Sequence, residues 1–220
     1  MRHVAPYFEK GLLKRVFSQS LHRRAVEFLR QPIYSIGKLR DRWYECAHPD
    51  CPLLTPKANC YLAKRVSKDA LGLEWGSGRS TLWFARNCRK LISIEHAHDW
   101  LRFVSDRLRE GSLSNVELRL VPLDHDESTP TVPSYEKTPH YVTQVLDFPD
   151  ESLDFVLVDG HYRQACVLAA LSKLKQGGLL IVDDTHWMPL REWGVPADWR
   201  IGLQGRSAIK ETTIWISGSR

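Results

Sequence analysis

Leu71-Gly-Leu-Glu74-Trp-Gly76-Ser-Gly78-Arg-Ser80-Thr81 decides the fold of this 220-residue chain. A short apolar run ends in a glycine turn. The residues that follow start a helix, with Ser80 or Thr81 able to cap it. A strand, a tight turn and a helix N-terminus in this order bring backbone N–H groups close to a nucleotide-like ligand. Further on, Leu91-Ile-Ser-Ile-Glu95 reads as a second buried strand ending in an acid. An acid there is placed to accept hydrogen bonds from ribose hydroxyls. Together the two segments predict an adenosine-containing cofactor on an open α/β sheet.

The glycine spacing selects among such cofactors. A dinucleotide fingerprint calls for a further glycine where this chain has Thr81, which argues against a nicotinamide-dependent oxidoreductase. Glu74 sits badly beside a pyrophosphate and well beside a cationic amino-acid group. S-adenosylmethionine carries a sulfonium and an ammonium and no phosphate, so it suits this turn better. A glycine turn with no ligand is the bland alternative.

Composition sets the outer bounds. With 43% hydrophobic residues the chain can build one α/β domain with a substantial core. Cys46, Cys51, Cys60, Cys88 and Cys166 form no CxxC pair. Cys88 and Cys166 fall in predicted helices and read as small buried apolar residues. The first three, with His48 among them, match no common zinc spacing. No apolar run spans a bilayer and no signal peptide is recognisable, so a cytoplasmic setting is expected.

The formal net charge of +5 is concentrated near the start. Residues 1–45 interleave Arg and Lys with Phe8, Leu12, Leu13, Val16, Phe17, Leu21, Val26, Phe28 and Leu29. That spacing predicts one or two amphipathic helices, broken near Pro32. Such a segment either packs as a substrate-side lid or makes a peripheral contact with an anionic membrane. The expected organisation is a helical extension over 1–51 and a catalytic domain over 52–220.

Thr55-Pro56 reads as an N-cap and a helix-starting proline. Strands are expected over 70–74, 91–95, 116–121, 154–158 and 178–183. The helices between them cover 80–88, 98–109 and 162–174, and a long polar loop runs through 124–150. This alternation implies a doubly wound, mostly parallel, Rossmann-like sheet. Thr212-Thr-Ile-Trp-Ile216 gives a last strand, antiparallel beside the fifth. Trp187, Trp193 and Trp199 line either an aromatic substrate wall or ordinary packing.

Ligands of open α/β sheets sit beyond the carboxyl ends of the strands, and every strand here delivers an acid to that rim. The acids are Glu74, Glu95, Asp124, Asp159 and the pair Asp183-Asp184. Asp159, Asp183 and Asp184 could converge on one Mg²⁺, which prefers carboxylate oxygens and could lower the pKa of an attacking hydroxyl. In the competing arrangement one of these acids caps a helix and another meets Arg163 or Lys210. His161 and His186 follow acids on the same rim, and either suits the role of general base.

Leu73-Glu74-Trp-Gly76-Ser-Gly78-Arg-Ser80-Thr81-Leu-Trp83-Phe84 resembles the first motif of class I SAM-dependent methyltransferases. Ser93-Ile-Glu95-His96, Leu157-Val-Asp159-Gly160-His-Tyr162-Arg163 and Leu174-Lys-Gln-Gly177-Gly178-Leu-Leu-Ile-Val-Asp183-Asp184 continue the likeness. It is closest to the small-molecule branch that includes catechol and sugar O-methyltransferases. The resemblance implies a cofactor site at Glu74, Gly76, Ser77, Gly78, Ser80, Glu95, His96, Asp124 and Asp159. It also implies a Mg²⁺ site at Asp159, Asp183 and Asp184. The family's usual sixth strand is expected to be reduced or missing.

The leading expectation is therefore methyl transfer from S-adenosylmethionine to an oxygen of a small acceptor, a sugar or a phenol. Asp159-Gly-His-Tyr stands where base amino-methylating enzymes carry a Pro-Pro-aromatic run, which argues against nucleic-acid bases. RNA ribose methylation and a non-catalytic binding or scaffold protein are the alternatives.

Overall fold

The computed structural model describes residues 31–124 and 137–218. The helices expected within residues 1–30, and the middle of the long polar loop, lie outside the described residues. The chain divides into two compact units, one of Met1–Cys51 with Ser207–Ile209, the other of Pro52–Arg206 with Lys210–Arg220.

In the first unit, α1 spans Pro32–Ala47, with proline in its first turn where the missing N–H costs nothing. Asp41 is buried and accepts a hydrogen bond from the Ala208 backbone at 2.9 Å. Ile33, Ile36, Leu39 and Trp43 are exposed. No described helix is long and apolar enough to cross a membrane.

The second unit is built on seven strands. They are β1 (Leu71–Trp75), β2 (Lys90–Glu95), β3 (Val116–Leu120), β4 (Leu153–Val158), β5 (Leu174–Asp183), β6 (Arg200–Arg206) and β7 (Glu211–Ile216). They lie in the order β3-β2-β1-β4-β5-β7-β6. The first five are parallel, and β7 runs antiparallel between β5 and β6. Around them run α2 (Pro56–Arg65), α3 (Arg79–Asn87), α4 (His98–Glu110), α5 (His140–Thr143) and α6 (Arg163–Ala170). This is the doubly wound sheet expected, with the antiparallel strand in its expected place.

Both faces of the sheet are covered, so the central strands read as nearly continuous apolar runs. Leu73, Trp75, Ile92, Ile94, Val156 and Val158 pack on one side with Cys166 and Val167 of α6. Leu91, Phe155, Leu157, Leu179 and Ile181 pack on the other with Ala58 and Leu62 of α2 and Phe84 of α3. Cys88 and Cys166 are buried as expected, and all five cysteines are free thiols.

The sixth strand corrects an expectation: β6 is a full seven-residue strand. Gly202 and Gly205 hide it in the sequence, because glycine weakens strand signals. Here both permit close packing. A Cβ at Gly202 would lie 2.5 Å from the Tyr61 hydroxyl, and one at Gly205 2.5 Å from Thr55 Oγ1. Thr55 makes no side-chain cap to α2; its backbone N–H instead donates to Thr212 Oγ1 at 3.1 Å.

Candidate functional site

The rim begins at the glycine turn after β1. Gly76 has φ +92°, a left-handed value that favours glycine. A Cβ there would lie 2.8 Å from the Asp159 carbonyl oxygen and 3.0 Å from the Gly160 nitrogen. The turn therefore brings the ends of β1 and β4 into backbone contact.

Every N–H of this turn is already used. Gly76 N donates to Ile94 O at 2.9 Å, Ser77 N to Glu95 Oε2 at 3.1 Å and Gly78 N to Thr81 Oγ1 at 2.8 Å. From the sequence alone these groups are expected to face a ligand. The structure spends them on the protein and leaves a surface for close approach. A Cβ at Gly78 would meet only Trp100 Cζ2, at 4.0 Å. The Trp100 indole N–H donates to Ser77 O at 2.8 Å, so this half-exposed ring stands over the turn.

Glu74 lies beneath the turn with no accessible surface. Its Oε1 accepts from Thr81 Oγ1 and, at 2.7 Å, from Ser93 Oγ, and Ser80 adds another hydroxyl. Its Oε2 is buried without a partner. Burial pushes its pKa up to about 7. The expected contact between Glu74 and a cofactor ammonium thus becomes a role in holding the turn from below. Thr81 is the relay, since its hydroxyl accepts from Gly78 N and donates to Glu74.

Glu95, at the end of β2, is 3% exposed. Its Oε1 accepts from the backbone N–H groups of His96 and Ala97, both at 2.9 Å, and lies 2.9 Å from His96 Nδ1. The His96 ring in turn meets the His161 ring at 4.3 Å between centroids. These histidines follow β2 and β4, the two neighbours of β1, so they meet across the end of β1. Tyr141 is fully buried beside them, and its hydroxyl would lie 2.2 Å from a Cβ at Gly160. Asp124, beyond β3, accepts from His140 N at 3.0 Å at the start of α5.

The third group is the acid trio expected of β4 and β5. One ligand atom from each of Asp159, Asp183 and Asp184 lies within 4.8 Å of the others. Desolvation raises the carboxyl pKa of both Asp159 and Asp183; Arg163 and Lys210 pull Asp159 back, and the neighbouring aspartates push Asp183 further. Asp183 Oδ1 accepts from Thr212 Oγ1 at 2.6 Å. Arg163 stands among the three, 3.1 Å from Asp159 Oδ1 and 3.1 Å from Asp184 Oδ2. A divalent ion among the three acids would lie against this guanidinium, which already holds one oxygen of Asp159 and one of Asp184, so the residues as folded do not fit a resident Mg²⁺. His186 is exposed and neighbours Trp187, whose ring receives the Arg163 guanidinium at 4.4 Å. Trp193, by contrast, belongs to the core.

The strand-end rule thus brings Gly76, Ser77, Gly78, Glu95, His96, Asp159 and His161 together around β1, and Asp183 and Asp184 beside them. Ser93, Trp100 and Tyr141 are the residues that sequence reasoning missed. Ser93 alternates into the same face as Glu74 across paired strands, a signal the period-two pattern carries. Trp100 and Tyr141 carry none, because neither the face of α4 nor a one-turn helix inside a segment that reads as polar loop announces what it covers.

A parallel sheet with its glycine turn and acids gathered at the carboxyl ends of the strands places the chain in the doubly wound class, whose ligands sit at this rim. Residues 73–185, just over half of the chain, match a family model described as "Methyltransferase domain", and the chain belongs to that family. No curated protein matches it. Among solved structures, a methyltransferase from Geobacter sulfurreducens is 14% identical, with 90% of this chain and 97% of that one covered and a TM-score of 0.57. An rRNA methylase from Streptococcus thermophilus is 14% identical, covering 74% and 95%, with a TM-score of 0.55. An RNA methyltransferase from Salinibacter ruber, in complex with S-adenosyl-L-homocysteine, is 15% identical, covering 77% and 95%, with a TM-score of 0.50. Identities this low speak for the fold alone.

Proposed function

We propose that this chain uses S-adenosylmethionine to methylate an oxygen of a small acceptor carrying a sugar or phenolic hydroxyl. The observation that carries the reading is the hydrogen-bond accounting at the glycine turn. A pyrophosphate is held by free N–H groups of such a turn, whereas those of Gly76, Ser77 and Gly78 are spent internally. A cofactor without phosphate fits that surface, and family membership points the same way.

When bound, S-adenosylmethionine supplies an electrophilic methyl group on a sulfonium. The chain's own residues would do the rest by positioning. Gly76 lets the turn close against β4, and Gly78 allows close approach beneath Trp100. Glu95 offers the remaining lone pair of Oε2 to a ribose hydroxyl while its Oε1 orients His96. Asp159 faces the rim beside the glycine turn and favours the cationic end of the cofactor.

His161 is the favoured base for the acceptor hydroxyl, with His186 as the alternative. A proton taken up by His161 would lie against His96, whose Nδ1 is anchored on the Glu95 carboxylate. No step of this reading runs through a metal.

Calorimetric titration of the folded protein with S-adenosylhomocysteine, followed by methyl transfer to a panel of sugars and catechols, tests the proposal. Micromolar binding with turnover that falls at least a hundredfold in His161→Gln supports it. Absence of binding removes the cofactor assignment. Methylation of RNA but of no small acceptor replaces the substrate class, and binding without turnover favours a non-catalytic protein.

A further inference from the structure

The acid trio poses a problem of charge that the fold has already answered. Asp159, Asp183 and Asp184 crowd three carboxylates into one corner of the rim, an arrangement that requires positive charge nearby. In Arg163 every N–H of the guanidinium has an acceptor. Nε donates to Gly160 O at 3.0 Å. One terminal nitrogen donates to Asp183 O at 2.6 Å and to Asp184 Oδ2 at 3.1 Å. The other donates to Asp159 Oδ1 at 3.1 Å and to Asp159 O at 3.4 Å. The Trp187 ring lies 4.4 Å from the guanidinium carbon, and the residue is 8% exposed.

Local structure delivers this side chain. Tyr162 takes a left-handed conformation at φ 51°, and α6 starts at the next residue. Arg163 thus stands at the first position of the helix, turned back towards the ends of β4 and β5. Three of its five bonds go to main-chain carbonyls, so the planar fork is fixed by the strand ends themselves and not only by the acids. A planar group with five directed donors suits such a mixed set of acceptors, where a lysine would match only part of it. Mg²⁺ calls for near-octahedral oxygens at about 2.0–2.1 Å. It would have to bind through the oxygens that Arg163 leaves, with the guanidinium against it, or displace that group from Asp159 Oδ1 and Asp184 Oδ2.

We propose that Arg163 is the resident cation of this site: its guanidinium fills the position that the acid trio would otherwise give to a divalent metal, so the site neither binds nor needs one. Arg163 is then a positioning residue, tying the Asp159 loop to the Asp183-Asp184 turn. Loss of the guanidinium turns the trio into a genuine metal site. The inference rests on reading this rim as the functional site, but its readout is metal binding and not turnover.

The test is titration of the full-length, EDTA-treated protein with Mn²⁺ and Mg²⁺, by calorimetry and by the Mn²⁺ electron paramagnetic resonance signal. Wild type and Asp184→Asn are expected to show the same weak, unsaturated response. Arg163→Ala is expected to bind Mn²⁺ at least tenfold more tightly than wild type, and Arg163→Ala/Asp184→Asn to lose that gain. Saturable binding by wild type that Asp184→Asn abolishes overturns the proposal, a result that needs no Arg163 variant to fold. A folded Arg163→Ala protein with no gain in affinity overturns it as well. S-adenosylhomocysteine binding measured with and without EDTA keeps the two readings apart. If it is lost in both conditions the cofactor assignment fails, whereas loss in EDTA alone overturns the resident-cation assignment.

Discussion

Replacing Glu74 by Gln should change how stability depends on pH more than it changes stability itself. The carboxyl has no accessible surface and its pKa is pushed from 4.5 to about 7, chiefly by burial. Between those values the folded protein holds a proton that the unfolded chain has released. Stability from this group is therefore fully present below pH 4.5 and falls as pH rises to about 7, with no further loss above it. Two and a half pKa units correspond to about 3 kcal/mol.

In Glu74→Gln this slope disappears. The amide nitrogen placed at the partnerless Oε2 position adds a cost that does not vary with pH. Asp183, also raised, contributes the same slope to both proteins and cancels in the difference; Asp159 is raised chiefly by desolvation, which the substitution leaves in place, and Glu74 is the last of its causes, so only that small part adds to the change. Urea unfolding of both proteins at intervals from pH 4.5 to 8.5 measures it. The variant should gain about 3 kcal/mol on wild type across that range. A difference constant with pH would refute the assignment of Glu74 as a buried acid that ionises at a cost to the fold.

Gly76→Ala should cost about 1–3 kcal/mol from its backbone conformation alone and should weaken S-adenosylhomocysteine binding, because the turn must draw back from Asp159; differential scanning calorimetry with titration reads both, and unchanged binding would contradict the geometry. Trp100→Ala should lower S-adenosylhomocysteine affinity roughly tenfold, equivalent to about 1.4 kcal/mol, with little change in melting temperature, since the ring is half exposed; a large loss of stability with intact affinity would make it a packing residue. Sedimentation with phosphatidylglycerol vesicles checks the membrane contact expected of residues 1–45. Binding should fall at 0.5 M salt and in Trp43→Asp, and wild type that stays in the supernatant at low salt would dismiss it.

The sheet was legible because its central strands are buried on both faces and end in a turn or an acid. The positions of Gly76, Glu95, Asp159 and Asp183 follow from that order alone, since parallel strands bring their carboxyl ends to one rim. What was not legible depended on packing partners distant in sequence. Gly202 and Gly205 disguise a strand because they make room for Tyr61 and Thr55. Glu74 looked like a ligand group because charge at a strand end normally faces solvent, and only the hydroxyls of Thr81 and Ser93 explain why it turns inward. Arg163 appeared as one of two cations able to meet the acids, but five directed hydrogen bonds cannot be read from a spacing.

The glycines at positions 76 and 160 stand back to back. A Cβ on Gly76 meets the backbone of Asp159 and Gly160, and a Cβ on Gly160 comes within 3.0 Å of the Gly76 nitrogen, 3.1 Å of the Trp75 carbonyl carbon and 2.2 Å of the Tyr141 hydroxyl. A change at one position cannot be relieved by a change at the other, because the part of each glycine that stands in the way is its main chain. A side chain at Gly76 meets main chain on a strained backbone, whereas one at Gly160 meets first the hydroxyl of Tyr141 and then main chain at the limit of contact. In a chain that otherwise has many ways to vary, the join between β1 and β4 leaves little room for gradual departure.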